Sequence, residues 1–294
     1  MSSALRLRQE AQRMGPKADP VWQKAMQVPF LDEKPMSGPP RCTAQDFDLP
    51  HLRRCIFDPN TMTWEDKLGG GLDGYVWKVW FGERGPFALK VFWDADPPDF
   101  HHYYAPQREC QNAAILQMME ASIAQAAVES TPIRVHANPR TQNEALNNLY
   151  AFSDEGRQAQ SYPGSSKTVP IVSMPRTREC FGWLRLSGDM FCRLPLDLKA
   201  PSFKMSKIQR SMSSDRNYIA LVYEYVEEGK NNKAVVEDVD RFFWLAGFGH
   251  TMSPSAKNWK SGVLVDLADI VHVGGYGWKE QLYKPRTADL ILIK

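Results

Sequence analysis

The sequence predicts a mixed α+β fold: a small antiparallel sheet carrying one long helix, followed by a reduced, mainly helical second lobe. Three observations lead there. Residues 64–93 hold three strand-like runs separated by glycine-containing turns. A helix-forming stretch free of proline and glycine follows, from about Arg108 to Val128. Two further apolar runs, "CFGWLRLSG" and "YIALVYEYV", then lead into a second helical pattern at 234–247.

Each element has a local reason. The run at 64–68 ends at glycines, and residues 75–81 alternate with the period of two that turns one face of a strand toward a core. Glu83-Arg84-Gly85 supplies a turn before residues 87–93 resume a strand. In the long helix, Ala114, Leu116, Met118, Met119, Ile123 and Ala127 form a broad apolar face. Val235, Val236, Val239, Phe242, Phe243 and Leu245 do the same for the second helix. "GVLVDLADIVHV" reads as a short strand pair ending on carboxylates.

Domain organisation follows from composition. Residues 1–45 read as a helix-prone tip (Leu5, Leu7, Ala11, Met14) and a tether broken by "GPKADP" and "EKPMSGPPR". Residues 46–228 read as the sheet-bearing unit and 229–294 as the reduced lobe. Within the first unit, residues 130–168 are rich in Asn, Gln, Ser and Pro, and read as a long insertion or mobile loop.

The 294 residues carry 43% hydrophobic and 24% charged side chains, an ordinary globular composition. A formal net charge of +2 argues against nucleic-acid binding through bulk charge, and no sequence-specific nucleic-acid partner is expected. Five cysteines in irregular spacing, with no CxxC pair, suit reduced thiols rather than a structural zinc; Cys110 and Cys180 read as small apolar core residues. No apolar run reaches the roughly 20 residues of a membrane span, and no secretory leader is evident. An intracellular protein, nuclear or cytoplasmic, is the expectation.

The chemistry concentrates in "GGGLDGYVWKVWFGERGPFALKVFW". Gly69, Gly71, Gly74 and Val76 follow G-x-G-x-x-G-x-V, in which absent Cβ atoms let backbone approach phosphate oxygens. The same glycine spacing opens dinucleotide folds, but there a helix must follow, whereas 75–81 reads as strand. Lys90, inside an apolar strand, needs an anionic partner. Polyphosphate on one side and Glu109, near the start of the helix, on the other would supply it; Glu120 is a weaker choice. Backbone groups around Glu224, Tyr225 and Val226 are placed to bond an adenine edge. Asp266, just beyond an apolar strand, and Asn258, eight residues earlier, are candidate magnesium ligands, with Asp269 competing. His101-His102 offers no metal-ligand spacing.

In this order the residues resemble a protein-kinase amino lobe, from "LGGGLDGYV" through Ala88-Leu89-Lys90 and Glu109 to "ALVYEYVEEG". "RECQNAAI", "CFGWL", "DRFFWLAGF" and "NWKSGVLVDLADIV" further resemble a fungal kinase-like family of inner-kinetochore (CENP-P-like) subunits. The resemblance covers about 64–275 and implies ATP and magnesium as ligands, with Val76 and Ala88 beside the nucleotide. It departs at the catalytic loop H-R-D-x-x-x-x-N. With Asn258 in the asparagine place, Ser253 falls where the aspartate belongs and Thr251 where the histidine belongs, His250 being one residue out of register. "DLA" stands where D-F-G would be. About 28 residues follow Asp266, too few for a complete carboxyl lobe, so the expectation is that a protein partner completes or covers that lobe or that the N-terminal 60 residues pack there. The implied function is an ATP-binding, pseudokinase-like protein with weak or no phosphotransferase activity. The alternatives are a nucleotide-independent kinetochore-type scaffold and an atypical active kinase.

Overall fold

A computed structural model describes residues 20–98, 102–159, 167–205, 208–251 and 255–293. The helix-prone tip with Leu5, Leu7, Ala11 and Met14, as well as His101 and Ser253, lie outside these residues. The first half runs α1 (Pro20–Met26), β1 (Leu31–Pro35), α2 (Ala44–Asp48), β2 (Leu52–Arg54), β3 (Met62–Gly70), β4 (Gly74–Phe81), β5 (Arg84–Phe92) and the 24-residue α3 (Ala105–Val128). Then come β6 (Ile133–His136), α4 (Gln142–Tyr150), α5 (Asp154–Ala159), β7 (Thr168–Ile171), β8 (Cys180–Ser187), α6 (Gly188–Cys192), β9 (Phe203–Met205), β10 (Ile208–Arg210) and β11 (Asn217–Glu224). The remainder holds α7 (Lys233–Leu245), β12 (Phe248–His250), β13 (Trp259–Lys260), β14 (Val263–Leu264), β15 (Ile270–His272) and α8 (Ala288–Ile291).

Seven strands form the main sheet in the order β1-β2-β8-β11-β5-β4-β3. The five from β8 to β3 are antiparallel, and β2 and β1 add parallel at the edge. Both faces are covered, which explains why β5 reads as nearly continuous apolar sequence. Leu89 and Val91 enter one core with Trp77, Leu184, Tyr218 and Phe191. Ala88 and Phe92, on the opposite face, enter the larger core built on α3, which continues without a break to Phe243 of α7 and Ile270 of β15. Among the described residues no helix is long and apolar enough to cross a membrane.

Three expectations need correction. The tether over 1–45 contains α1 and β1, and Leu31 of β1 pairs with Leu52 on the sheet edge. Its prolines and charges sit at the edge, where unpaired backbone is tolerated, rather than in a linker. The stretch 130–168 is no loose insertion: in its described part β6 pairs with β7, and Ile133, Val135, Ala145, Leu149 and Phe152 are buried. Its amides are structural. Asn148, 2% exposed, accepts from the N–H of His136 (2.7 Å) and donates to the carbonyls of His136 (3.2 Å) and Leu245 (2.9 Å), and Thr141 and Glu144 form a capping box that starts α4. Residues 229–293 are less helical than expected: α7 is the one substantial helix there among the described residues, accompanied by short two-stranded ladders and 3-10 turns.

Candidate functional site

The β3–β4 hairpin closes over one end of a cleft. Gly69 adopts φ +115°, and a Cβ at Gly74 would collide with the backbone oxygen of Val91, so both positions require glycine. Gly71 has open space around it and an ordinary φ. The turn is tied down from several sides. Its Gly71 N–H donates to the Gly74 carbonyl (2.9 Å), the Trp93 N–H to the Asp73 carbonyl (3.1 Å), and the Trp93 indole to the Gly71 carbonyl (2.9 Å). Arg210 donates to the Leu72 carbonyl. The Asp73 carboxylate accepts from the Tyr103 hydroxyl at 2.8 and 2.7 Å.

Beneath the turn, Lys90 of β5 is 6% exposed. Its Nζ donates to Glu109 Oε1 of α3 and, at 2.9 Å, to Asp266 Oδ1. Glu109 is wholly buried and takes a second bond from the Tyr223 hydroxyl at 3.1 Å. Helix α3 sets both partners. One turn beyond Glu109, the Asn112 amide donates to the Leu267 (2.9 Å) and Ile270 (2.8 Å) carbonyls, and Arg108 donates to the Ala268 carbonyl (3.3 Å). The same helix face thus supplies a carboxylate to Lys90 and clamps the 3-10 turn that Asp266 caps.

Charge is unevenly held in this cluster. Burial opposes the Lys90 charge, but Asp266 and Glu109 outweigh it and hold the ammonium well above the usual lysine value. Burial pushes the Glu109 carboxyl upward against the pull of Lys90. For Asp266 burial acts in the same sense, yet Lys90 and the Ala268 N–H together bring it below the ordinary aspartate value. Two carboxylates on one ammonium are thereby driven apart, with the cleft-facing one ionised.

The cavity has a volume of about 560 Å³. Gly69, Gly71, Gly74, Val76, Ala88, Lys90, Tyr225, Val226, Asn258 and Asp266 line it, so the sequence-selected residues converge. Two stand outside. Glu109 sits behind Lys90, and the Glu224 carboxylate turns away to Arg176 (2.8 Å). Glu120 is exposed on α3, and Asp269 is tied to the Asn258 amide nitrogen (2.7 Å) and pushed up to about 6 by burial. His250, 6% exposed, bonds Asp240 of α7 at 2.5 Å in the core. Cys110 and Cys180 are buried, and burial pushes both thiols up.

Sequence reasoning missed Asp73, Arg178, Lys257 and Lys260, which also line the cavity. Asp73 lies inside the glycine motif and was readable there; Arg178 has no local signal. Among the described residues, no group of three or more His, Cys, Asp or Glu side chains could hold a metal ion by itself. No protein-family model matches the chain, and comparison with curated proteins finds no match.

Proposed function

We propose that the cleft binds a magnesium–nucleoside triphosphate in the manner of a pseudokinase, with weak or no phosphoryl transfer. The observation that carries this reading is the meeting of Lys90, Glu109 and Asp266 under the glycine turn. In protein kinases a strand lysine paired to a helix glutamate contacts phosphates, and an aspartate holds magnesium. Lys90 has three N–H donors; two serve Glu109 and Asp266, which leaves one for a phosphate oxygen. Val226 lines the other end of the cavity, and among the described residues neither its N–H nor its C=O has a protein partner, so both are available to a base.

The donor set suits a magnesium ion bound mainly through phosphates, which needs only one or two protein oxygens. Asp266 commits Oδ1 to Lys90 and the Ala268 N–H, keeping Oδ2, while Asn258 commits its amide nitrogen to Asp269, keeping Oδ1. Such an ion would neutralise phosphate charge. Transfer chemistry is disfavoured because the resemblance places Ser253 where a kinase carries the aspartate that accepts the substrate proton. Calorimetric titration with magnesium and ATP or GTP tests the reading. Micromolar-to-millimolar binding is expected, weakened in Asp266→Asn and lost in Lys90→Ala, with circular dichroism reporting whether each variant is folded.

One observation favours a nucleotide-independent scaffold, of the kinetochore type that the family resemblance implies: Lys90 is already matched by two carboxylates, so this lysine needs no phosphate as its counter-charge. Absence of heat and of thermal shift at millimolar nucleotide would decide for that alternative.

A further inference from the structure

The base end of the cleft is governed by Arg178, in the segment preceding β8. This side chain is 8% exposed yet lines the cavity. Its Nε donates to the Glu224 carbonyl at 3.1 Å and its Nη1 to the Val265 carbonyl at 2.5 Å. The guanidinium also stacks on the Tyr223 ring, 4.4 Å from the centroid. Its Nη2 has no protein partner among the described residues, and it is not sealed from solvent. Glu224, two residues before Val226, does not line the cavity. Arg178 therefore stands between the cleft and the Glu224 carbonyl, and it occupies that carbonyl as a donor.

The substitution of one group for another inverts the chemistry of the wall. A free carbonyl would accept the N6 amino group of adenine. A guanidinium has five donors and no acceptor, so adenine's amino group would meet N–H against N–H, leaving both unpaired in a confined space. A purine bearing a 6-oxo group presents an acceptor at the same place, and the bond it takes from a guanidinium is charge-assisted. Rotation out of the way is opposed by the stacking on Tyr223 and by the Val265 carbonyl, which would lose its partner.

Resting on the nucleotide reading above, we infer that Arg178 makes this cleft selective for 6-oxopurine nucleotides, guanine or hypoxanthine, over adenine. The Tyr225–Val226 backbone then reads the remainder of the base edge.

Calorimetric titration of the full chain with magnesium and ITP, GTP or ATP tests this. ITP and ATP share sugar and phosphates and differ at position 6 and in the accompanying N1 proton, so their ratio reads that edge of the base, and the change of the ratio in Arg178→Met assigns it to the wall. ITP and GTP are expected to bind about tenfold more tightly than ATP, the discrimination available to a site that leaves a buried donor unpaired. Arg178→Met keeps an apolar stem against Tyr223 and uncovers the Glu224 carbonyl; it should erase the preference or turn it toward ATP. ATP binding as tightly as ITP to the unmodified chain overturns the assignment of the base while leaving nucleotide binding intact. Failure of all three nucleotides to bind a folded chain overturns both. Should Arg178→Met not fold, ATP binding as tightly as ITP to the unmodified chain still overturns the assignment.

Discussion

Lys78 and Lys90 point from the same face of the sheet on neighbouring strands, since Lys78 of β4 lies opposite Ala88 and Lys90 of β5 opposite Val76. Each pairs with a glutamate, Lys78 with Glu65 at 2.7 Å and Lys90 with Glu109. Their surroundings differ. Lys78 stands at the rim with its ammonium 4.7 Å from the Tyr225 ring centroid, and hydrogen bonds from Lys78 and Trp80 lower the Glu65 carboxyl. Lys90 is largely buried behind the cleft wall, and burial raises Glu109 although the ammonium is in contact with it. The same ion pair is optional in one place and obligatory in the other, because desolvation has to be matched only where it has occurred.

The largest effect is expected at Lys90. Lys90→Met retains the stem but strands Glu109 and Asp266 together, and should lower unfolding free energy by about 3 kcal/mol in urea titration. A loss comparable to that of an exposed pair would mean the carboxylates are hydrated and the cluster is not a closed site.

Next comes the hairpin that roofs the cluster. Gly74→Ala drives a Cβ into the Val91 backbone and should cost about 1–3 kcal/mol, as overpacking does. Gly71→Ala, with nothing within 4 Å, should stay within about 0.5 kcal/mol. Equal costs at the two glycines would show that the Val91 backbone gives way to the added Cβ and that the close approach does not constrain the turn.

The opposite shifts of the two glutamates predict opposite pH behaviour. For Glu109 the folded state keeps a proton that the unfolded chain releases above its ordinary value of 4.5. The unfolded state then binds fewer protons, so this group's contribution to stability falls as pH rises from 4.5. Glu109→Gln, whose amide oxygen can accept from Lys90 while its NH2 donates to the Tyr223 hydroxyl oxygen, should gain stability relative to the unmodified chain as pH rises. Because Asp266 shares the Lys90 ammonium, the difference between the two proteins reports Glu109 together with its coupling to Asp266. A difference independent of pH between 4.5 and 7.5 would contradict the burial argument.

How much of this was legible in the sequence follows the range of the forces involved. The three glycine-turned strands, the long helix and the order Gly69–Lys90–Glu109–Asp266 were readable because periodicity and an ion in an apolar strand are local signals. The folded stretch 130–159 was not, because Asn148 is polar by composition yet buried through bonds to backbone on β6 and α7. Composition records polarity; it does not record partners. Thr141 and Glu144, three apart, were the one readable trace of α4. Arg178 was beyond reach for the same reason as Asn148: its role is set by the carbonyls of Glu224 and Val265, distant in sequence and adjacent only after folding. The backbone around Glu224 was assigned to an adenine edge from its place after an apolar strand; that its carbonyl accepts from Arg178 has no local signal.

The smallest effect belongs to Lys78, and it sharpens the comparison most economically. Lys78→Ala removes the bond to Glu65, but Glu65 keeps its bond from the Trp80 indole (2.5 Å) and remains open to water. No resolvable change in the thermal midpoint is expected, because an exposed carboxylate exchanges an ammonium for solvent at little net cost. Nucleotide affinity should respond differently: the ammonium sits over Tyr225, whose ring borders the cavity, so its loss leaves stability alone while loosening that wall. A modest rise in the dissociation constant, growing smaller as salt is added, is the expected calorimetric result. A fall in the thermal midpoint matching that of Lys90→Met would break the comparison, since the two lysines would then play the same part although one glutamate partner is exposed and the other wholly buried.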